Sequence, residues 1–282
     1  MRIANLRGRA VLLHPADGSA VDIETASGGR FGPDPMDVYA RWSEFGAWAA
    51  AATLPAGSAF DEGDLDAPVP SPGQVFAIGL NYRDHAAEAN LPTPDHLIVF
   101  TKFASSLGAP HETVTLPSDK VDYETELVVV VGREAHRVTP DEAWDAVAGV
   151  CIGQDYSERA VQLRGPAPQF SLGKSYPGFG PFGPAVVTVD ELADRDRLGV
   201  RATLTRDGAD EVLQDGTTAD MVFGVAEIVS ELSQVVTLRP GDVIFTGTPA
   251  GVGGTRGFFL RPGDALTSEL VGVGSITNRF VA

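Results

Sequence analysis

The sequence predicts a β-rich α+β protein in which a small N-terminal domain precedes a larger main domain. Glycine and proline are frequent, with 32 and 20 among 282 residues, and this composition is typical of many short strands joined by turns. Residues 127–131 form an apolar run rich in valine, which indicates a buried strand. Residues 200–205 alternate apolar and polar side chains, which indicates a half-buried strand.

The expected N-terminal domain covers residues 1–70. Residues 35–52 are predicted to form a helix, because apolar side chains recur in them at helical spacing. An acidic, proline-rich stretch at residues 60–73 is typical of a loop or linker. We therefore divide the chain near residue 70 and expect the main domain to cover residues 71–282.

The main domain is expected to consist of strands with a few helices between them. Thr139–Glu142 has the Thr-x-x-Glu pattern of a capping box, with proline at the first helical position, so a short helix is predicted to begin there. Residues 222–236 place four valines and a leucine on one face of an amphipathic helix. The pentapeptide Leu-Arg-Pro-Gly-Asp occurs at residues 238–242 and 260–264, and we interpret both copies as turns that lead into strands.

Charge and cysteine content restrict the classes of partner and compartment. The net charge is −17 without a basic cluster, which argues against nucleic acid or an anionic membrane as a partner. Cys151 is the only cysteine, so an internal disulfide is excluded and a reducing compartment is expected. No apolar stretch reaches 18 residues, and the N-terminus lacks the core of a signal peptide. We therefore expect a cytoplasmic protein without a membrane span.

The most informative feature is a pair of glutamates, Glu124 and Glu126, directly before the valine-rich run. On a strand, residues i and i+2 point to the same face, roughly 6–7 Å apart. Carboxylates so placed at the edge of an apolar core repel each other and need either a compensating cation or water. A hard divalent cation such as Mg²⁺ meets this need, and a strand end that faces solvent is the alternative. Asp122 shares this face and is interpreted as the solvated start of the strand, with a role beside the metal ligands as the alternative.

Other segments carry further candidate residues. His85 and Glu88 lie three residues apart in a stretch of helix formers, so the carboxylate can orient the imidazole and raise its basicity. Asp155 ends a short apolar strand, and Arg159 and Gln162 follow it by four and seven residues. Lys174 lies in a Gly/Pro-rich loop, and Thr248 lies between two glycine-containing runs.

In this order and spacing, the segments resemble the fumarylacetoacetate hydrolase family, from about Gly79 to the C-terminus. The resemblance implies a mixed β-roll or flattened barrel, a catalytic domain over residues 71–282, and a homodimer. It also implies that Glu124, Glu126 and Asp155 ligate a divalent cation, with water and substrate oxygens completing an octahedron. The implied cation is Mg²⁺, with Mn²⁺ or Ca²⁺ as alternatives.

The resemblance also implies roles for the remaining candidates. Lys174 would stabilise developing enolate charge or protonate the carbanion. Arg159 and Gln162 would bind a substrate carboxylate, and Thr248 would contact it through its hydroxyl and backbone. The family more often has Ser-Ala-Arg-Asp where this chain has Ser-Glu-Arg-Ala, at residues 157–160, so the acidic residue that follows the arginine in the family is missing.

The implied reaction is hydrolysis of a C–C bond in an acylpyruvate-like or diketo acid. His85, oriented by Glu88 on a mobile lid, would activate a water molecule that attacks the distal carbonyl. The bond would then break toward a pyruvate enolate, which the cation stabilises as a Lewis acid. Decarboxylation of oxaloacetate-like acids and isomerisation of hydroxymuconate-type dienes are the alternatives, because both pass through the same enolate. A non-catalytic binding protein is disfavoured, because the lysine, the carboxylates and the histidine are all present.

Overall fold

The computed structural model describes residues 1–14 and 17–282. The strands in these residues are β1 (Arg2–Leu6), β2 (Arg9–Leu13), β3 (Ala20–Asp22), β4 (Leu65–Asp66), β5 (Val75–Gly79), β6 (Ile98–Thr101), β7 (Leu107–Gly108), β8 (Thr113–Thr115), β9 (Val121–Asp122), β10 (Thr125–Val131), β11 (Val147–Gln154), β12 (Ser157–Glu158), β13 (Gly180–Thr188), β14 (Gly199–Arg206), β15 (Ala209–Thr217), β16 (Val243–Phe245), β17 (Ala265–Leu270) and β18 (Gly274–Val281). The α-helices are α1 (Ile23–Ala26), α2 (Pro35–Ala40), α3 (Trp42–Ala51), α4 (Arg83–Glu88), α5 (Pro140–Ala143), α6 (Arg159–Gln162), α7 (Phe170–Gly173) and α8 (Val225–Val235). Short 3-10 turns occupy Glu62–Asp64, Ala104–Ser106, Trp144–Ala146, Val189–Glu191, Thr218–Asp220 and Gly254–Arg256.

One large mixed sheet contains most of these strands. Its order is β3-β2-β1-β13-β11-β10-β16-β5-β6, with β4 paired to β1 and β7 paired to β13. The central strand β10 is buried over its whole length, as the valine-rich run predicts. Its alternate side chains enter two different hydrophobic clusters, one with Val129 and the other with Val128, because both faces of the sheet are covered.

A second sheet has the order β15-β14-β17-β18-β8 and contacts the first, with β18 against β13 and β17 against β11. In β14 the side chains of Val200, Ala202 and Leu204 are fully buried, which confirms the alternating strand predicted there. The described strands form open, mixed sheets with short helices between them and no closed barrel. This architecture confirms the predicted β-rich α+β class.

The N-terminal segment continues the large sheet, because β1 pairs antiparallel with β13 and Ile3 lies opposite Val186. A separate hydrophobic cluster lies beneath this part and includes Ile3, Val38 and Phe45. Tyr39 instead packs into a cluster that also contains Val128 of β10. The division of the chain into domains 1–70 and 71–282 stays a prediction.

The helix predicted over residues 35–52 is interrupted. α2 and α3 are separated by Arg41, whose φ of −120° and ψ of 33° are not helical. The guanidinium of Arg41 donates to the carbonyl of Arg30 and lies 4.6 Å from the ring centroid of Phe31. These contacts hold Arg41 in its non-helical conformation. Helical periodicity did not predict the break, because the contacts join Arg41 to residues outside the predicted helix.

The two Leu-Arg-Pro-Gly-Asp segments form similar turns, as predicted. In both, the aspartate amide donates to the arginine carbonyl, and the aspartate side chain accepts from the arginine amide, in the pairs Arg239–Asp242 and Arg261–Asp264. The glycines have φ of 84° and 92°, which explains why glycine is required there. The capping box at Thr139 and the helix predicted near residues 222–236 are present as α5 and α8. In the described part of the chain, no helix is both long and apolar enough to cross a membrane.

Candidate active site

The three predicted metal ligands meet where two neighbouring strands of the large sheet begin and end. Glu126 is the second residue of β10, Glu124 directly precedes that strand, and Asp155 directly follows β11. The two strands pair antiparallel with Thr125 opposite Gln154, so the start of one lies beside the end of the other. Each acidic side chain contributes one oxygen to a group in which all three oxygens lie within 4.8 Å of one another. Strand pairing therefore brings together carboxylates that are about thirty residues apart in sequence.

Buried cations neutralise two of the three carboxylates. The ammonium of Lys174 lies 2.6 Å from Glu124 Oε2 and 2.6 Å from Asp155 Oδ2. Lys102 Nζ lies 2.7 Å from Asp155 Oδ1 and also donates to the carbonyl of Lys174. A guanidinium nitrogen of Arg159 lies 2.7 Å from Glu124 Oε1. Glu124 and Asp155 are therefore each contacted by two positive charges.

Glu126 differs, because among the described residues its carboxylate forms no ion pair. Its Oε2 accepts a 2.8 Å hydrogen bond from the amide of Gly247. Burial, together with the charges of Asp155 and Glu124, raises the pKa of Glu126 well above its ordinary value. Burial also acts to raise the pKa of Glu124, but there Lys174 and other nearby cations outweigh it and lower the pKa to about 2.

These features fit a divalent cation. Three buried carboxylates converge, and one of them lacks the positive charge that would offset the cost of its burial. A donor set made only of carboxylate oxygens suits a hard cation of the class that includes Mg²⁺, Mn²⁺ and Ca²⁺. The residues present are therefore suited to hold the cation that the resemblance implies.

Asp122 is fully buried, and its interpretation as a solvated strand start is wrong. The short pair of β9 and β12 places Asp122 opposite Ser157, two residues before Arg159. Its Oδ2 accepts a 2.8 Å bond from Arg159 Nε, and its two oxygens accept bonds of 2.8 and 2.7 Å from the amides of Gly253 and Gly254. The carboxylate thus orients Arg159 and ties it to the loop between β16 and β17.

Arg159 and Gln162 occupy the ends of α6 and contact each other. A guanidinium nitrogen of Arg159 donates to Gln162 Oε1 over 2.8 Å. Together with the contacts to Asp122 and Glu124, this bond uses most of the five N–H donors of a guanidinium. Both side chains line the same cavity as the carboxylates. Their role in binding a substrate carboxylate stays a prediction.

Thr248 also lines this cavity, but its hydroxyl is already engaged within the protein. The hydroxyl donates to the carbonyl of Thr125 over 2.9 Å and accepts from Gln214 Nε2 over 2.8 Å. A hydroxyl has one hydrogen, so Thr248 Oγ1 has none left for a substrate carboxylate while these bonds persist. In this arrangement, the threonine side chain fixes the loop after β16 to the start of β10.

His85 and Glu88 form the predicted pair on α4. His85 Nδ1 lies 2.7 Å from Glu88 Oε1, and His85 lines the same cavity as Glu124 and Glu126. A carboxylate at Nδ1 favours the neutral tautomer that carries its proton on Nδ1 and leaves a lone pair on Nε2. His85 can therefore accept a proton from a substrate or from water.

The helix that carries this pair is fastened at both ends. Near its start, the Asn81 side-chain nitrogen donates to the carbonyls of Phe223 and Thr246 over 3.0 and 2.8 Å. At its end, Glu88 Oε2 accepts a 3.0 Å bond from the amide of Gly251. The carboxylate that orients His85 therefore also ties α4 to the loop that follows β16.

The cavity shared by these residues has a volume of about 420 Å³. Its polar lining consists of His85, Glu124, Glu126, Arg159, Gln162, Lys174, Thr248 and Thr255. Its large apolar lining consists of Ile78, Leu80, Leu91, Ile98, Phe100, Leu163, Phe170, Val252 and Phe259. The structure thus gathers the predicted histidine, two of the three metal ligands, the lysine and the substrate-binding candidates around one space. Glu88 lies directly behind the histidine, and Asp155 lies behind Lys174.

The sequence did not predict that Lys102 belongs to the site. Lys102 follows the edge strand β6 directly, where a lysine normally faces solvent, yet its side chain is 1% exposed and contacts Asp155. The only local signal is a charge immediately after an apolar strand, which does not distinguish a buried lysine from a solvated one. Its partner lies 53 residues away in sequence, so only the tertiary structure reveals the contact.

The fold and the site define a β-rich protein with a candidate divalent-metal centre at the ends of two central strands. The family model described as "Fumarylacetoacetate (FAA) hydrolase C-terminal" matches residues 74–281. The chain belongs to this family, whose members are enzymes that bind divalent metals.

Two solved structures and one curated relative illustrate the similarity. The chain is 42% identical over 219 residues to the human protein named oxaloacetate tautomerase FAHD2A, mitochondrial, and the alignment covers 76% of this chain and 68% of that protein. It is 52% identical to a Mycobacterium smegmatis protein described as a putative HpcE protein, whose crystal structure matches with a TM-score of 0.94 over 100% of this chain and 99% of that chain. It is 27% identical to 5-carboxymethyl-2-hydroxymuconate delta-isomerase from the same organism, with a TM-score of 0.75 and coverage of 100% and 98%.

Proposed function

We propose that this chain catalyses proton transfer at the carbon next to the keto group of a 2-keto acid, so that its reaction is a keto–enol tautomerisation or a related double-bond isomerisation. The observation that carries this proposal is that His85, paired with Glu88, lines one cavity with Glu124 and Glu126 of the carboxylate triad. The names of the relatives, a tautomerase and an isomerase, support the same chemistry.

Binding of the substrate's carboxylate falls to Arg159 and Gln162. Arg159 is held in place by Asp122, and Gln162 is held by Arg159, so both are oriented before a substrate arrives. A divalent cation held by Glu124, Glu126 and Asp155 would supply Lewis-acid polarisation of the neighbouring keto oxygen. Each of these residues lines the cavity or directly adjoins it.

Proton transfer falls to His85. Its Nε2 takes a proton from C3, the C–H electron pair forms the C2=C3 bond, and the keto oxygen gains the negative charge and then a proton. Glu88 stabilises the imidazolium that forms at His85, because its carboxylate lies 2.7 Å from Nδ1. Return of the proton to the oxygen gives the enol, so the conversion consumes no other reactant.

Lys174 supplies positive charge beside the reacting group. Burial lowers the pKa of Lys174, but the charges of Asp155 and Glu124 outweigh burial and raise it, so the ammonium stays charged at neutral pH. A fixed ammonium near the developing enolate stabilises the transition state without reorganisation. This role agrees with the one that the family resemblance implies.

Hydrolysis of a C–C bond in an acylpyruvate is the second candidate, and the carboxylate-oriented histidine favours it. The same His85 Nε2 can deprotonate water, which attacks the distal carbonyl. The C3–C4 bond then breaks, its electron pair remains on C3, and protonation of C3 gives pyruvate plus the carboxylic acid. Water is the only additional reactant.

The test follows two substrates with Mg²⁺ present and with a chelator present. Loss of the enol absorbance is recorded for oxaloacetate and acetylpyruvate, products are identified by mass, and exchange of C3 protons in D₂O is followed by NMR. Mg²⁺-dependent tautomerisation, or exchange of C3 protons without cleavage of a C–C bond, would support the main proposal. Release of pyruvate and acetate would instead establish hydrolysis, and the absence of both exchange and cleavage would overturn both candidates.

A further inference from the structure

The cavity lining is chemically uneven. Among the described residues, Arg159 and Lys174 are the arginine and lysine side chains that line it. Both already contact carboxylates of the site, Arg159 with Glu124 and Lys174 with Glu124 and Asp155. The positive charge in the cavity is thus concentrated where the 2-keto acid head of a substrate would bind.

The rest of the lining comes mainly from aliphatic and aromatic side chains on several separate elements. Ile78 lies on β5, Phe100 on β6 and Phe170 on α7, whereas Val252 and Phe259 lie on the loop between β16 and β17. The rings of Phe100 and Phe170 meet edge to face with centroids 5.6 Å apart. Four parts of the chain thus contribute to one apolar surface inside a cavity that contains charged groups.

Two further leucines of this lining are exposed to solvent. Leu91 lies just after α4 and is 53% exposed, and Leu163 lies just after α6 and is 57% exposed. Both line the cavity, so its apolar surface extends to the protein exterior. Lys120 Nζ lies 5.0 Å from the ring centroid of Phe259 but does not itself line the cavity. A second carboxylate on a substrate would therefore exchange water for apolar side chains without an arginine or lysine of the lining beside it, which is costly.

We infer that the substrate is a 2-keto acid whose chain beyond the keto group is apolar, an alkyl or aryl group, and not a second carboxylate. This inference rests on the proposed function, because that function places the 2-keto acid head at the carboxylate triad. It distinguishes this chain from enzymes of oxaloacetate, since oxaloacetate is a dicarboxylate. A buried methylene contributes about a fourfold gain in binding, so an extended alkyl chain should be clearly preferred.

Binding is tested with a matched pair of six-carbon probes, 2-oxohexanoate and 2-oxoadipate, which differ only in a terminal methyl or carboxylate. Their Kd values for the Mg²⁺-loaded protein are measured by calorimetry. We expect 2-oxohexanoate to bind at least about tenfold more tightly. Equal or tighter binding of 2-oxoadipate would overturn the inference.

A charge inserted at the exposed end of this lining provides the second test. Leu163→Arg should bring the Kd values of the two probes together or reverse their order, because it gives the terminal carboxylate a partner. Leu172→Arg is the matched control, since Leu172 on neighbouring α7 is 63% exposed and is not part of the cavity lining. If both variants change the ratio equally, the effect is general electrostatics and the inference fails.

Turnover separates this inference from the proposed function. Diketo acids with the same head and a methyl, pentyl, phenyl or carboxyethyl tail are compared for loss of enol absorbance. Faster reaction of the pentyl and phenyl compounds would support both proposals. If every compound is inert while 2-oxohexanoate still binds more tightly than 2-oxoadipate, the apolar-tail inference stands and the proposed reaction is wrong. If all compounds react equally fast, the reaction stands and the inference is wrong.

Discussion

The carboxylate triad and the His85–Glu88 pair serve the same cavity but are held in different ways. Glu124, Glu126 and Asp155 lie at the ends of two central, paired strands, and buried cations fix two of them. The histidine pair lies on a six-residue helix that hydrogen bonds connect to neighbouring loops. A sheet interior opens only with global unfolding, whereas a short peripheral helix can open locally. The candidate metal centre is therefore preorganised by the sheet, whereas the position of the candidate base depends on a few hydrogen bonds to loops.

The largest expected effect on cation binding follows from the uncompensated charge of Glu126. Glu126→Gln replaces an anionic ligand by a neutral amide of the same shape, so Mg²⁺ affinity measured by calorimetry should fall by about 10–100-fold and Mg²⁺-dependent turnover should fall with it. The fold should persist in circular dichroism, because the glutamate makes no ion pair among the described residues. Glu211→Gln, on the exposed face of β15, should change neither quantity. Unchanged Mg²⁺ affinity in Glu126→Gln would contradict the assignment of the triad.

Removal of His85, the candidate base, should lower turnover without changing cation binding by the carboxylate triad. His85→Ala should lower kcat by about 10²–10⁴-fold and leave Mg²⁺ affinity within about twofold of wild type, because His85 accepts a proton and is not a predicted ligand. His96→Ala is the control, since that histidine is highly exposed and contacts Asp95. Full hydrolytic or tautomerase turnover by His85→Ala would show that the assignment of the base is wrong.

Replacement of Lys102 tests whether its buried ion pair with Asp155 holds the carboxylate triad in position. Lys102→Met leaves Asp155 with Lys174 as its remaining cation, so the free energy of unfolding of the chelator-treated protein should fall by about 1.5–3 kcal/mol. Mg²⁺ affinity should fall by about 10–100-fold, because a displaced Asp155 is a poorer ligand. Urea unfolding and calorimetry measure the two effects. Lys120→Met, at a partly exposed lysine, should show neither.

Glu88→Gln probes the contact that joins the two regions. The amide keeps the size of the side chain but removes the charge that orients His85 and accepts from Gly251. We expect about a tenfold loss of kcat and faster hydrogen exchange in α4, with unchanged exchange in β10. Faster exchange in both elements would show that the two regions are not mechanically distinct.

The smallest effect concerns pH. The pKa of Glu126 is raised in the folded, metal-free protein, so its protonated form stabilises the fold. That stabilisation is present below the unfolded pKa of about 4.3 and is lost as the pH rises through the raised folded pKa. Thermal melts with chelator should therefore show wild type losing stability above about pH 4.3, relative to Glu126→Gln. Parallel pH profiles for the two proteins would argue against an uncompensated carboxylate.

Much of the site was accessible from the sequence because its signals are local. The i, i+2 spacing of Glu124 and Glu126 and the i, i+3 spacing of His85 and Glu88 each place two groups on one face of one element. The valine-rich run predicted a strand buried on both faces, and β10 is such a strand. Spacing alone suggested a divalent cation at the glutamates and a carboxylate-oriented histidine, whereas the roles of Asp155, Lys174, Arg159, Gln162 and Thr248 came from the family resemblance. The family match to residues 74–281 confirms that relationship.

The sequence alone determined the β-rich class, the buried strand β10, the acidic pair, the histidine pair and the family resemblance. The tertiary structure decided which charges are buried and what neutralises them. Asp122 and Lys102 resemble ordinary surface residues in sequence, yet both are buried, because strand pairing and sheet packing bring them to partners tens of residues away. Local periodicity reports which face of an element is apolar, whereas the electrostatic environment of a charge depends on groups that only folding brings within a few ångströms.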